Sequence, residues 1–182
     1  MKSQSTTSFK FMGVLNLTPN SFSDGGELLH QADLEVRVRQ WSQVGADFID
    51  LGAESTAPMN QPISHELEWQ RLRPALELSS ESLPVSIDTY KIETITKAIS
   101  FKNISLWNDV SGQLGADLEA VLKQNSKLQS VFCHNLAPSR VLTSKHMDYV
   151  TQDDIYHNVF EHFAKAHAWY FERQLTPPYF DF

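Results

Sequence analysis

Polar side chains stand at the ends of five separate apolar runs in this sequence: Asn16, Asp50 with Glu54, Ser55 and Thr56, Asp88, Asn108 with Asp109, and His134. These are groups that hold and orient a ligand, and no nucleophile is evident among them. Asp88 closes an apolar run and is expected to be largely buried, where a carboxylate is costly unless N–H donors pair with its oxygens. Asn16 closes another, where its amide oxygen can reach a ligand or a hard metal ion. Polar groups that converge on one rim are what a site looks like.

The elements that must position them follow from apolar spacing. Residues 9–17 read as a short buried strand that stops at Thr18-Pro19 and empties into a polar loop. Leu34, Val38, Trp41 and Val44 space out an amphipathic helix over 33–43, with Asp33 as its cap and Gly45 as its stop. A second strand spans 48–51, and a helix over 64–80 is expected to kink or split at Pro74. Strands at 84–89, 104–110 and 129–134 alternate with helices at 91–100 and 114–124. A polar connection, 135–150, leads to a helix over 152–173, and 175–182 could begin a sixth strand. Such alternation means parallel strands joined by helical crossovers in one domain, 1–182. Function at the C-terminal strand ends is the habit of the TIM-type (β/α)8 barrel, which usually takes about 250 residues. The expected fold is therefore an incomplete α/β barrel, with about five βα units and the start of a sixth. Open parallel edges invite pairing, which leaves room for a homodimer or a completing polypeptide.

Composition narrows the function. The chain has 182 residues, 41% hydrophobic and 20% charged, as in ordinary soluble domains. Fifteen basic against 22 acidic residues give a net charge of −7, which argues against a nucleic-acid partner or an anionic membrane surface. The first residues lack the apolar core of a secretory signal, and no apolar run reaches membrane-span length. One cysteine, Cys133, excludes an intrachain disulfide and a zinc site of several thiolates. The expected location is cytoplasmic.

Two long stretches carry a specific likeness: Gly13-Val-Leu-Asn-Leu-Thr-Pro-Asn-Ser-Phe-Ser-Asp-Gly-Gly26 and Gly45-Ala-Asp-Phe-Ile-Asp-Leu-Gly-Ala-Glu-Ser-Thr-Ala-Pro58. With Ser86-Ile-Asp-Thr89 and Asn108-Asp-Val110 they resemble the signatures of the dihydropteroate synthases, the pterin-binding enzymes of folate synthesis. The resemblance implies a transferase that condenses 7,8-dihydropterin-6-ylmethyl diphosphate with 4-aminobenzoate and releases diphosphate. It implies that Asp88 and Asn108 hold the pterin ring, whose N–H and amino edge suits a carboxylate. Thr56 would contact the pterin substrate through its hydroxyl, and Asn16 would ligate Mg²⁺. The carbon beside the ring can support positive charge, so the protein need only orient the substrates and neutralise the leaving group.

Departures accompany the likeness. Ala57 stands where the family has an arginine suited to phosphate and carboxylate groups. Asn135 replaces the methionine usual after His134, and Thr176 or Pro177 stands where the strand-six aspartate is expected. The family's Ser-Arg-Lys and Arg-x-His motifs, which handle the anions, are not in the sequence. A catalytically degenerate pterin-binding or assembly protein is thus one alternative. A pterin-dependent methyltransferase is another, against which the first long stretch argues. Tyr156, Phe160, Phe163, His167 and Tyr170 recur at helical spacing and read as a core-facing stripe. His65-Glu66 begins a zinc-protease pattern that fails at Trp69, and Cys133 reads as an inert core thiol.

Overall fold

The apolar runs pair into one six-stranded sheet in the order β1-β2-β3-β4-β5-β6 in a computed structural model of the chain. The structure describes residues 9–18, 31–55, 60–79, 83–150 and 154–182, without the side chains of 31–33. The strands are β1 Met12–Asn16, β2 Phe48–Gly52, β3 Val85–Asp88, β4 Ile104–Asp109, β5 Gln129–Cys133 and β6 Tyr179–Asp181, all parallel. The helices between them are α1 Gln31–Gln43, α2 His65–Ser79, α3 Ile92–Ala98, α4 Ala116–Gln124 and α5 Ile155–Glu172. The sixth strand expected near the C-terminus is therefore formed. β1 and β6 do not pair with each other, so the barrel is open.

Strand alternation divides the sheet into two faces. Leu15, Ile49, Leu51, Val85, Ile87 and Trp107 point to the helices, and each is almost fully buried. Burial of such side chains contributes roughly 1.5–3 kcal/mol each. Gly13 lets α1 lie directly on β1, because a Cβ there would stand 2.3 Å from the Trp41 ring. The other face is the barrel interior, and it is more open: Met12 and Val14 are 41% and 51% exposed.

Three local expectations change. The helix 64–80 is not split: α2 is continuous through Pro74. Pro74 and Gln70 are both exposed, so water can serve the Gln70 carbonyl that loses its partner. The polar connection 135–150, for which no element was expected, contains a 3₁₀ segment, Arg140–Tyr149. The aromatic stripe on α5 is not core-facing as a whole. Tyr170 is 1% exposed and its hydroxyl lies 3.0 Å from that of Ser130, whereas Tyr156 and Phe160 are 85% and 68% exposed. Ala166 and Tyr170 alone on this helix are buried. Periodicity reports which residues share a helix face; whether anything covers that face depends on the neighbouring elements. Among the described residues no helix is long and apolar enough to cross a membrane.

Candidate functional site

Parallel register brings four of the sequence-selected residues to the inner face. Asn16 is opposite Gly52, Gly52 opposite Asp88, and Asp88 opposite Asn108; one level below, Asp50 is opposite Ser86. Register partners in a parallel ladder point the same way, so Asn16, Asp50, Asp88 and Asn108 share one side. The Asn108 Nδ2 donates to Asp50 Oδ2 at 3.0 Å. Asn16 is exposed at the end of β1. Thr56 lies outside the described residues, as does most of the first polar loop.

Asp109 and His134 turn to the other face. Asp109 follows Asn108, so alternation sends it toward the helices, where it is 2% exposed and accepts from Arg140 Nη1 at 2.7 Å. His134 packs edge-on against His162 of α5, with ring centroids 5.0 Å apart. Its burial lowers the imidazole pKa. Arg140 was not among the residues singled out by sequence. It also donates to the carbonyls of Tyr90 and Gln113 at 3.1 and 3.2 Å, tying the loops after β3 and β4 to the 3₁₀ segment. The available signal was Asp109 itself, since a carboxylate on the helix-facing side of a strand demands a cation.

Negative charge dominates the site. The Asp88 carboxyl is pushed well above the usual carboxylate range, first by burial and then by Asp50, Glu68, Asp109 and Glu54. Burial also raises Asp50, against the hydrogen bond from Asn108. Among the described residues nothing donates a hydrogen bond to the Asp88 carboxylate. Lys91, three residues beyond it, is engaged by Glu54 and Glu68. Tyr90 donates to Glu54 at 2.7 Å, and Thr89 and Thr94 donate to Glu68. The open position beside Asp88 and Asn108 therefore suits a neutral or cationic ligand rich in N–H groups.

The strand-six reading is corrected in register. Thr176 and Pro177 precede β6, and Asp181 is its last residue, opposite Cys133 on the inner face. The Cys133 thiol is pushed up to about 12 by burial and then by the Asp181 carboxylate. A thiol so raised stays protonated at neutral pH, but Cys133 is half-buried on the inner face and not part of the core, contrary to expectation.

Gly52 sets how closely Asp88 can sit. A Cβ on Gly52 would stand 2.9 Å from Asp88 Oδ2, the movable end of that side chain. Gly52→Ala is thus expected to displace the carboxylate rather than unfold the chain. Stability should change by less than about 1 kcal/mol while affinity for an Asp88 ligand falls roughly tenfold. Urea denaturation and calorimetric titration of the same variant check the two halves.

The pterin binding enzyme family matches residues 12–173. The chain belongs to this family. A mitochondrial folate synthesis bifunctional protein of Arabidopsis thaliana is 42% identical over 120 residues, covering 63% of this chain and 22% of that protein. Dihydropteroate synthase of Neisseria meningitidis serogroup C is 39% identical over 104 residues, covering 56% of this chain and 37% of that enzyme. Among solved structures, Xanthomonas albilineans dihydropteroate synthase with 4-aminobenzoic acid superposes with a TM-score of 0.73 at 28% identity, covering 94% of this chain and 59% of that one. The Clostridium difficile enzyme, solved in the presence of pteroic acid, gives 0.73 at 26% identity, covering 94% and 62%. The chain thus spans less than two-fifths of these curated relatives and about three-fifths of these solved chains.

Proposed function

We propose that this chain carries the pterin half of a dihydropteroate synthase site. In the whole enzyme it serves the condensation of 7,8-dihydropterin-6-ylmethyl diphosphate with 4-aminobenzoate. The observation that carries this reading is the pairing of Asp88 with Asn108 at neighbouring strand ends, where the carboxylate has no protein donor among the described residues. A pterin edge brings the donors that this carboxylate lacks. Hydrogen bonds donated to the Asp88 carboxylate offset the repulsion from Asp50 and Glu68, so a donor-rich ligand stabilises its ionised form. Thr56 follows Ser55 out of the same loop, and its hydroxyl would add a contact to the pterin substrate.

A diphosphate leaving group calls for a hard cation such as Mg²⁺. Asn16 supplies an amide oxygen, exposed at the end of β1. This fits Mg²⁺ held by one protein oxygen together with waters and phosphate oxygens, its usual arrangement at phosphate sites. The bound ion would neutralise charge on the departing diphosphate. The chain's own residues orient the ring through Asp88 and Asn108 and keep the methylene carbon facing the amine. Association through the free β6 edge, with a further βα unit as the occupant, belongs to the same reading and is supported by the exposed Tyr156 and Phe160 on α5.

Ala57 favours a second reading, a pterin-binding protein without turnover, because the cation usual at that place is missing. Calorimetric titration of the folded chain with a pterin diphosphate analogue, with and without Mg²⁺, tests the first. The expected result is binding that strengthens with Mg²⁺. A folded chain that ignores the pterin overturns the proposal, and pterin binding with no turnover after the further barrel units are supplied selects the second reading.

A further inference from the structure

We infer that Asp50 is a positioning residue, which locks the side-chain amide of Asn108 so that the site presents two acceptors, the Asp88 carboxylate and the Asn108 carbonyl. This rests on the pterin reading of the site and names what that site selects.

An asparagine amide is nearly symmetric in shape and turns over at small cost, so unaided it offers a ligand either a donor or an acceptor. An ionised carboxylate accepts only. With Asp50 Oδ2 at 3.0 Å from Asn108 Nδ2, the nitrogen must face Asp50 and the oxygen must face away. Asp50 is 4% exposed, so water does not compete for the bond, and a charged acceptor makes it roughly twice as strong as a neutral one.

The sheet is built to allow this reach. Asp50 lies on β2 and Asn108 on β4, with β3 between them. At Asp50's level the intervening residue is Ser86, fully buried and small. A larger side chain at 86 would stand in the path between them.

Two fixed acceptors side by side select a heterocycle edge that offers N–H donors at two positions, as an amino-substituted pyrimidine ring does. A ring bearing a carbonyl oxygen at either place leaves a buried acceptor facing another acceptor, the kind of mismatch that discriminates most strongly. The specificity of Asn108 is therefore set by a residue one layer beneath the ligand.

The test is a double-mutant cycle on the full chain, with 6-hydroxymethylpterin monophosphate as the probe. Asp50→Leu is expected to weaken binding about tenfold, and Asn108→Leu to weaken it further. The double variant should lose clearly less than the sum of the two single losses, because part of the Asp50 effect passes through Asn108, while its charge effect on Asp88 is the same with or without Asn108. Effects that simply add overturn the assignment. Should Asp50→Leu fail to fold by circular dichroism, the shape-preserving Asp50→Asn carries the same cycle with a smaller expected loss. A second readout needs no ligand: the Asn108 side-chain amide resonances of the free protein should be shifted downfield, and should move on substitution of Asp50. Amide resonances indifferent to Asp50 also overturn the assignment. If the wild-type chain ignores the pterin, the functional reading fails, and the amide resonances alone decide the role of Asp50.

Discussion

Asp88→Asn is expected to make the protein more stable at neutral pH and to lose the pterin. The folded state holds the Asp88 carboxyl well above its ordinary value of 3.8, through burial and through Asp50, Glu68, Asp109 and Glu54. A carboxyl with a raised folded pKa favours folding while protonated; that contribution is complete below pH 3.8 and is lost as pH rises through the folded value. Above it, the ionised group opposes folding. Asparagine cannot ionise, so the variant should gain on the order of 1–2 kcal/mol at neutral pH, as when a functional site gives up its strain. The gain should vanish in acid. Pterin affinity should fall roughly a hundredfold, since a neutral amide replaces the acceptor of a charge-assisted pair. Urea denaturation at pH 7 and pH 4, beside calorimetric titration, measures both. A stability difference that does not change with pH would refute the electrostatic account, and unchanged affinity would refute the site.

The largest loss of stability is expected from Lys91→Met. Lys91 meets Glu54 and Glu68, whose side chains are 5% and 1% exposed. Removing the cation leaves two buried carboxylates facing each other, a change that costs about 3–5 kcal/mol in buried pairs of this kind. Converting Glu54 and Glu68 to glutamine in the same chain should recover most of the loss, because the surroundings then hold no uncompensated charge. The pH dependence carries the sign. Burial already raises Glu68, while Lys91, Thr94 and Thr89 oppose the rise. Without Lys91 the folded value climbs further, so Lys91→Met should regain stability as pH falls. Pterin affinity should drop as well, since Glu54, which also accepts from the Ile63 N–H at 3.3 Å, stands two residues beyond Gly52, the residue packed against Asp88. A loss below about 1 kcal/mol, the range of exposed pairs, would show that the network is wetter than its burial implies.

Much of this architecture was readable from residues alone, because it depends on short-range pattern. Runs such as Val85–Asp88 and Ile104–Asp109 are apolar and β-branched, end in a polar group, and alternate with helix-spaced segments. That pattern dictates parallel strands with Asp88 and Asn108 at their C-terminal ends. Strand alternation even contained the split between Asn108, facing inward, and Asp109, facing the helices. Asn108 and Asp109 stand together at one strand end, and alternation alone decides the face each one takes.

By itself, then, the sequence determined the order and type of the elements and the level of the strand at which each polar group sits. Only the tertiary structure decided which distant groups meet. Lys91 and Glu54 are 37 residues apart, Arg140 and Asp109 31, and Asn108 and Asp50 58. No local rule selects these partners, because a buried charge requires some counter-charge but not a particular one. The same holds for α5, where identical apolar spacing buries Tyr170 and leaves Phe160 in water. Hydrophobic periodicity acts along one helix, whereas burial depends on the surface that another element brings to it.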